Sequence, residues 1–378
     1  MAEFLELIEN IKQESDGFGV RNAKKGSNYP QRLAEAAKLI SDVYSGRKPA
    51  YRFTEAMTTD DFPFLFGDVL DRQLLANYME YPSTFRNFCK IGTVNDFRTV
   101  RRLTTSGSEG SLSVVNEQAE YPETGIGEAR YSYAVKKYGR RIPFSWETMI
   151  NDDLDALKDM PARLGRAARR TEQKFATDLY CGTAGPDGTF YASGNSNIVT
   201  SNPALSTSAL QTAMTVLAAQ TDSDSEPIFI DAIHLVVPPA LEITALNIMN
   251  ALEIRLQTSG GGISAQQLDA VNWMKNRVKL SVDPYIPIIA SSSNGSTSWF
   301  LFADPGNGRP AIEVGFLRGH TTPEIFIKSP NAQAVGGGAV NPMSGDFDTD
   351  SIQYKVRHVL GGTLLDPKMS VASNGSGS

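Results

Sequence analysis

The hydrophobic pattern at the start of the chain predicts two amphipathic helices, over residues 3–14 and 31–45. The apolar positions that recur at helical spacing are Phe4, Leu5, Leu7, Ile8 and Ile11 in the first, and Leu33, Ala36, Ala37, Ile40 and Tyr44 in the second. A polar, glycine-containing stretch separates them. Two short helices joined by flexible turns cannot enclose a core of their own. We therefore expect this segment to be an arm that packs on another surface.

Two later segments predict the strands of a long ribbon. A helix is expected over 68–80, and strands are expected over 93–104 and 129–142. The residues between these strands are rich in glycine and acidic side chains, which is typical of an irregular tip. An isolated two-stranded hairpin is only marginally stable in water. Such a ribbon needs a surface to lie on.

Charge along this ribbon is segregated. Between Leu103 and Ala129 there is no Lys or Arg, and the five acidic residues are Glu109, Glu117, Glu120, Glu123 and Glu128. The stems carry the basic residues Arg98, Arg101, Arg102, Arg130, Lys136, Lys137, Arg140 and Arg141. Two interpretations stay open: a solvated loop with solubilising charge, or an acidic tip that docks on a basic surface.

The strongest helical pattern runs from Asp159, the expected N-cap, with Pro161 in the first turn, to Gly182. Its apolar face is formed by Leu164, Ala168, Thr171, Phe175 and Leu179, and the basic residues Arg163, Arg166, Arg169, Arg170 and Lys174 lie mainly on the other faces. A helix of this length is a rod of roughly 34 Å.

The second half of the chain alternates between helix and strand. Helices are expected over 209–220 and 240–254, and strands over 233–237, near 277–282, 286–290, 299–303 and 311–317, and then over 324–328 and 351–365. The chain ends in Ser- and Gly-rich residues from Ser373, where we expect a flexible tail. Residues 207–320 therefore predict a mixed α/β unit of their own.

Composition excludes several classes of protein. Of 378 residues, 41% are hydrophobic and 21% charged, and 36 Lys and Arg against 42 Asp and Glu give a net charge of −6. A protein that grips phosphate backbones tightly is usually basic, so strong DNA binding is not expected. No apolar stretch approaches the length that spans a bilayer, and the N-terminus lacks the basic and apolar regions of a signal peptide. We expect synthesis in a reducing cytosol.

The sequence offers no recognisable catalytic, cofactor-binding or metal site. Its three histidines, His234, His320 and His358, have no metal-ligand spacing, and there is no phosphate-binding loop. Residues 346–350 resemble the first half of a calcium loop, but Ser351 and Arg357 stand where an EF-hand has Gly and Glu. A weaker divalent-ion site stays an alternative there. Cys89 and Cys181 are expected to be buried thiols.

The order of these parts resembles the major capsid proteins of tailed bacteriophages. The resemblance rests on the run Tyr138-Gly-Arg-Arg-Ile-Pro-Phe-Ser-Trp-Glu-Thr-Met-Ile, on the Arg-rich helix that follows it, on Leu235-Val-Val-Pro-Pro-Ala-Leu241 and on a return strand over 352–361. It implies an α+β, Hong Kong 97-like capsid fold, with an N-arm, a β-hairpin E-loop, a P-domain with a long spine helix, and an α/β A-domain.

By segment, the resemblance implies an N-terminal arm at 1–60, P-domain entry at 61–91, the E-loop at 92–142, the P-domain with its spine helix at 143–204, the A-domain at 205–321, and P-domain return strands with a flexible tail at 322–378. The implied function is structural and not enzymatic. Copies of the chain would form pentamers and hexamers of an icosahedral head that encloses double-stranded DNA. The implied location is the virion, after assembly in the host bacterial cytoplasm.

The implied partners are other copies of the chain. We expect subunit contacts at Glu109, Glu117, Glu120, Glu123, Arg140, Arg141, Arg163, Arg166, Arg170 and Lys174, with the acidic tip docking on an adjacent stem or helix face. The resemblance also implies a portal, a separate scaffolding protein, weak non-specific DNA contact, and no membrane or cofactor. The shell would be stabilised either by non-covalent packing alone or by separate cement proteins. No Lys lies between Ile91 and Val135, so an isopeptide crosslink from the ribbon is doubtful. The alternatives are an encapsulin-type compartment that holds a protein cargo, and an unrecognised enzyme.

Overall fold

The structure is a computed structural model. It describes residues 35, 38, 39, 42, 47, 74–80, 82–106, 114, 115, 120, 121, 127–145, 154–222, 225–228, 230, 233–251, 253–257, 267–272, 274, 277–307, 309–328, 331 and 346–377.

Within these residues the chain has mixed α/β structure. The helices are α1 (Leu154–Tyr180), α2 (Thr207–Ala218), α3 (Glu242–Asn250) and α4 (Ile286–Ile289). The strands are β1 (Lys90–Val94), β2 (Val100–Ser106), β3 (Gly127–Tyr133), β4 (Lys136–Ser145), β5 (Cys181–Gly182), β6 (Gly185–Pro186), β7 (Ile233–Val237), β8 (Glu253–Gln257), β9 (Gln267–Val271), β10 (Val278–Val282), β11 (Trp299–Ala303), β12 (Ile312–Leu317), β13 (Glu324–Ile327), β14 (Ser351–Leu364) and β15 (Ser370–Ser373). Residues 74–80 are also helical.

The chain forms two compact units. The first contains the described parts of Met1–Tyr81, Gly139–Ala168 and Thr322–His358. The second contains those of Pro82–Tyr138, Arg169–Thr321 and Val359–Ser378. Helix α1 and strand β14 each contribute residues to both units.

A four-stranded sheet in the order β10-β7-β11-β15 lies at the centre of the second unit. Strands β7 and β10 are parallel, whereas β7–β11 and β11–β15 are antiparallel. Every residue of β7 and β11 is buried. Side chains alternate between the faces of a strand, so Leu235 and Leu301 pack in one core cluster, and Val236 and Phe300 pack in another. Helices α2 and α3 supply apolar residues to the first of these clusters.

The second cluster is rich in aromatic rings that pack edge to face. Tyr180, from the end of α1, has its ring centroid 4.9 Å from that of Phe300 and 5.3 Å from that of Phe302. Phe88 stacks on Phe302 at 4.7 Å. Such pairs add about 0.5–1.5 kcal/mol each beyond their buried area. They help to hold α1 against the sheet.

A buried carboxylate also ties α1 to this sheet. Asp283 follows β10 and is fully buried. Its Oδ2 accepts hydrogen bonds from the hydroxyls of Thr177 and Tyr180, both at 2.6 Å, and from the amide of Gln173 at 3.0 Å. Its Oδ1 accepts from the backbone N–H of Tyr285 at 2.9 Å. The carboxylate is thus matched by donors on both oxygens, as burial of a charge requires.

The second unit also contains a parallel pair, β1–β12, and an antiparallel pair formed by β12 and the end of β14. Strand β12 is buried along its whole length. Strands β2 and β3 form an antiparallel ribbon with seven residue pairs, from Val100↔Tyr133 to Ser106↔Gly127. A ribbon is confirmed, but it is shorter than the strands predicted over 93–104 and 129–142. Residues 93 and 94 belong to β1, which pairs with β12, and β4, after Ala134 and Val135, pairs with β14 instead of β2.

The first unit is held by a smaller core. Leu74, Leu164 and Val356 are buried together. A Cβ at Gly165 would lie 2.5 Å from the carbonyl oxygen of Leu74, so the glycine permits close packing of α1 on the 74–80 helix. Strand β13 pairs antiparallel with β14 over Glu324↔Arg357 to Ile327↔Tyr354.

The long helix begins earlier than the sequence predicts. It starts at Leu154 rather than after Asp159, and Pro161 is inside it. The proline removes one backbone hydrogen bond. Its neighbours at 154–158 have good intrinsic helix propensity, with Leu, Ala and Lys among them. The full 27 residues make a rod of about 40 Å.

The buried part of α1 is wider than the predicted apolar face, of which Leu164 and Ala168 are buried and Phe175 and Leu179 pack against a core cluster. In the second half of the helix the buried residues are Glu172, Gln173, Ala176, Thr177 and Tyr180, whereas Thr171, Phe175 and Leu179 are only half-buried. Arg169 is buried rather than exposed and donates to Glu172 at 3.1 Å. Gln173, Thr177 and Tyr180 are buried because all three donate hydrogen bonds to the buried Asp283 carboxylate.

Three shorter predictions also need correction. Residues 286–289 form a helical turn instead of a strand, with Pro287 near its start. The helix predicted over 240–254 ends at Asn250, and Glu253 and Ile254 already belong to β8. The tail predicted as flexible from Ser373 is bonded to the second unit: β15 pairs with β11, and the N–H of Gly377 donates to the carbonyl of Asn202 at 2.8 Å. Strand β15 therefore lies in the second unit.

Most of the predicted N-terminal arm lies outside the described residues. The helix over 3–14 is wholly outside; within the one predicted over 31–45, Glu35, Lys38, Leu39 and Asp42 are helical. In the described part of the chain, no helix is long and apolar enough to cross a membrane.

Replacing Asp283 with Asn should lower the free energy of unfolding by about 2–3 kcal/mol, because the hydroxyls of Thr177 and Tyr180 lose a charged acceptor in the interior. Urea unfolding of the unassembled subunit measures the change. The matched control is Asp178→Asn, on the exposed side of α1. Equal losses in the two variants would contradict the prediction.

The stability of the second unit should also fall as the pH decreases below about 6.5. Burial lowers the pKa of His234, against the opposing effect of its 3.3 Å hydrogen bond to Asp304, and the positive charge of Lys279 lowers it further. The unfolded state then binds the proton more readily than the folded state, so acid favours unfolding. Urea midpoints between pH 5 and 7.5 test this. His234→Gln should give a shallower pH dependence, and identical slopes would disprove the assignment.

Candidate assembly interface

The acidic residues predicted at the ribbon tip are only partly within the described structure. Glu109, Glu117 and Glu123 lie outside the described residues. Glu120 is described and exposed. Beyond its position, the role of the acidic tip in subunit contact stays a prediction.

The described stem of the ribbon has two different faces. On one face, Arg101 and Leu103 lie beside Ser132 and Arg130, and all four are exposed. The opposite face carries Val100 and Arg102 from β2, and Tyr131 and Tyr133 from β3. These four are buried or half-buried. The root of the ribbon therefore lies against its own unit with one face and exposes the other.

The exposed part of the ribbon includes large apolar side chains. Leu103 is 62% exposed, Tyr121 82% and Val114 94%. A single exposed apolar residue needs no explanation. Three in one segment, on β2 and between β2 and β3, form surface that another molecule can cover.

A buried carboxylate anchors the root of the ribbon. Glu313, on β12, is 1% exposed. Its Oε1 accepts from Arg102 Nη2 at 2.6 Å, from Arg102 Nε at 2.9 Å and from the Tyr133 hydroxyl at 2.6 Å. Its Oε2 accepts from Arg102 Nε at 3.2 Å. We call these three residues the carboxylate clamp, because one side chain of β12 binds both strands of the ribbon.

Two glycines make room for the clamp. A Cβ at Gly92, on β1, would collide with the Glu313 carboxylate, and one at Gly315 would collide with the Tyr133 hydroxyl. Burial, followed by the hydrogen bond to Glu313, raises the pKa of Tyr133 to about 12. The same carboxylate raises the pKa of Arg102. Tyr133 therefore stays a neutral donor and Arg102 stays charged throughout the physiological pH range.

The predicted basic contact residues are found on β4 and α1. Arg140 and Arg141 are exposed on β4. Along α1, Arg163, Arg170 and Lys174 are exposed. Arg166 is half-buried, and its Nη1 donates to Asn77 Oδ1 at 2.9 Å. Residues 163, 166, 170 and 174 are three, four and four positions apart, which puts them along one side of the helix; we call them the basic row.

The other residues that could carry chemistry have structural partners. Asp346, in the segment that resembles a calcium loop, pairs with Lys328 at 2.6 Å. Cys89 and Cys181 are free and buried, as predicted, and burial raises the pKa of both thiols, that of Cys181 to about 12. Among the described residues, no group of three or more His, Cys, Asp and Glu side chains could hold a metal ion.

The clamp is not among the sites that the sequence predicts. Arg102 was included only among the basic stem residues, and Glu313 not at all. One signal was present: Glu313 is the single charge in the otherwise apolar run Ile312-Glu-Val-Gly-Phe-Leu317. A lone acid in a strand buried on both faces indicates a buried partner, but the pattern does not say which of many basic residues it is.

Comparison with solved structures finds several similar chains of low identity. One is from Mycobacterium phage Bobi: identity is 13%, the TM-score 0.44, and the match covers 77% of this chain and 90% of that one. The capsid structure of the cyanophage P-SCSP1u has 11% identity and a TM-score of 0.43, over 77% and 87% of the two chains. A virus-like particle from Pyrococcus furiosus has 11% identity and a TM-score of 0.42, over 82% and 99%. TM-scores below 0.5 support no conclusion about details of the fold.

The comparison with curated proteins finds no match for the chain. The comparison with family models shows the family to which the chain belongs. The model of a family described as phage capsid protein matches residues 129–372, from the second strand of the ribbon to β15. This is more than half of the sequence, and it confirms the interpretation drawn from the order of elements. The chain belongs to the phage capsid protein family, and it is a structural subunit of a viral shell.

Proposed function

We propose that this subunit is the major capsid protein of a tailed phage and that its copies form the pentamers and hexamers of a closed icosahedral head around double-stranded DNA. The observation that carries the proposal is the ribbon. Its described outer face and tip residues are exposed in the single chain, with Leu103, Val114 and Tyr121 largely in contact with solvent. A ribbon of this kind becomes stable when a neighbouring copy covers it.

The same arrangement supports the Hong Kong 97-like fold. In this proposal the β2–β3 ribbon is the E-loop, α1 is the spine helix of the P-domain, and the four-stranded sheet with α2 and α3 is the A-domain. Residues 1–60 are the N-terminal arm and 61–91 the entry to the P-domain. The return strands β13 and β14 belong to the P-domain, whereas β15 belongs with the A-domain sheet.

The proposal for subunit contacts joins the acidic tip to the basic row of a neighbour, with Arg140 and Arg141 as further basic sites. One exposed ion pair contributes only about 0–1 kcal/mol, and salt screens it over about 8–10 Å. Because a closed shell repeats each contact many times, small terms can still set register and partner choice. A portal, a separate scaffolding protein and cement proteins complete the proposed assembly, which takes place in the host cytoplasm. DNA contact is weak and non-specific.

Negative-stain electron microscopy of the purified full-length protein tests the shell itself. We expect closed particles of uniform diameter, either from the protein alone or with a co-expressed scaffolding protein. Monomers under both conditions would contradict the proposal. The contents of the particles separate the two kinds of shell, because DNA supports a phage head and a protein cargo supports an encapsulin-type compartment.

Reversing the charge of Glu117, Glu120 and Glu123 to Lys should sharply reduce the yield of closed shells and leave the subunit folded, because the tip would then repel the basic row. Size-exclusion chromatography measures assembly, and circular dichroism measures folding. The matched control reverses three acids outside the ribbon, Glu80, Asp178 and Glu242, which are exposed, as is Glu120. Normal shells from the ribbon variant would remove the electrostatic docking proposal.

A charge exchange tests the partner surface directly. Adding Arg163→Glu, Arg170→Glu and Lys174→Glu to the ribbon variant restores opposite charges across the proposed contact. We expect the combined variant to recover part of the shell yield that each reversed set loses alone. Yields that fall further in the combined variant would show that the acidic tip binds another surface.

A further inference from the structure

One carboxylate holds both strands of the ribbon to the body of the subunit. Arg102 is on β2 and Tyr133 is on β3, and both project from the same face of the ribbon because Arg102 is opposite Tyr131 and Val100 is opposite Tyr133. Their donor atoms converge on Glu313 Oε1, each at a distance of 2.6 Å. Because both strands are bonded to Glu313, the ribbon cannot pivot about one strand while the other moves.

The surroundings show that this restraint is built into the fold. Glu313 lies on the fully buried strand β12 between β1 and β14, and Gly92 and Gly315 leave space for the carboxylate and for the Tyr133 ring. A bidentate arginine fixes direction as well as distance. Apolar packing adds to it at the base, where Val100 lies against a cluster that includes Val94, Tyr133 and Leu317. Arg101 and Leu103, on either side of Arg102 in β2, lie on the opposite face and are exposed, so the clamp holds the covered face of the ribbon and leaves the other face free for contact.

We propose that Glu313 is a positioning residue for assembly, which fixes the direction of the ribbon in the free subunit before a neighbour covers it. The inference rests on the proposed function of the ribbon as an intersubunit element. Ordering a flexible segment at the moment of binding opposes association, and an element that is already held in its bound direction avoids much of that cost. The clamp thus favours one geometry of contact, and repeated geometry is what closes a shell.

The test measures the ribbon in unassembled, full-length subunits by hydrogen–deuterium exchange. Glu313→Gln removes the charge and keeps the size of the side chain, and Tyr133→Phe removes a single hydrogen bond. We expect amide exchange in β2 and β3 to accelerate by roughly tenfold or more in the first variant and less in the second. Exchange in β7 and β11 should stay unchanged in both. The matched control, Glu324→Gln, removes the 2.6 Å pair with Arg357 in the other unit and should leave the ribbon unaffected.

The second readout is the fraction of closed particles and their diameter. A fall in closed particles, in step with the ribbon exchange, supports the proposal. It is overturned by unchanged ribbon exchange in Glu313→Gln. It is equally overturned if ribbon exchange is faster but the particles keep wild-type yield and size. It is also overturned if amide exchange in Glu313→Gln accelerates across the whole second unit while Tyr133→Phe leaves ribbon exchange unchanged. If the wild-type chain forms no shells, the proposed function fails, while the exchange data still decide whether Glu313 holds the ribbon.

Discussion

A charge in the interior of this protein has to be matched by hydrogen-bond donors, and that requirement organises the second unit. Glu313 and Asp283 are both buried carboxylates, and each draws together elements that are distant in sequence. Asp283 binds the second half of α1 to the end of β10. Glu313 binds the ribbon to β12. An unpaired buried carboxylate would cost several kcal/mol, so neither contact can be lost without rearrangement.

The two carboxylates have different consequences. Around Asp283 all four donors lie inside one compact unit with an apolar core on both faces of its sheet, and the result is rigidity. Around Glu313 the donors lie on a ribbon whose other face is exposed, so the proposed effect of this carboxylate is to fix the direction of the ribbon. A shell subunit needs both properties, because rigid bodies give uniform particles and directed extensions join them.

Electrostatics on the surface has a more limited role. Pairs such as Arg357–Glu324 and Lys328–Asp346 join neighbouring segments of the first unit at 2.6 Å, but their side chains are partly exposed, and exposed pairs contribute little to stability. The acidic tip and the basic row belong to this weak class. Their proposed effect comes from repetition over many copies and is expected to depend on salt.

The sequence by itself determined the order of most elements, since the periodicity of apolar residues predicted the ribbon, the long helix and strands β7, β11, β12, β13 and β14 without any partner being known. The family came from the resemblance of particular segments to phage capsid proteins, and the family model confirmed it. The sequence could not determine how far the buried side of α1 extends beyond its apolar face, where Pro161 lies in that helix, or that β15 completes a sheet. Those depend on contacts between residues far apart in the chain, such as Asp283 with Thr177 and Glu313 with Arg102. Apolar patterning depends on residues that are close together in the chain, so it can be read from the sequence. The pairing of a buried charge is decided only when the tertiary fold brings its donors within hydrogen-bonding distance.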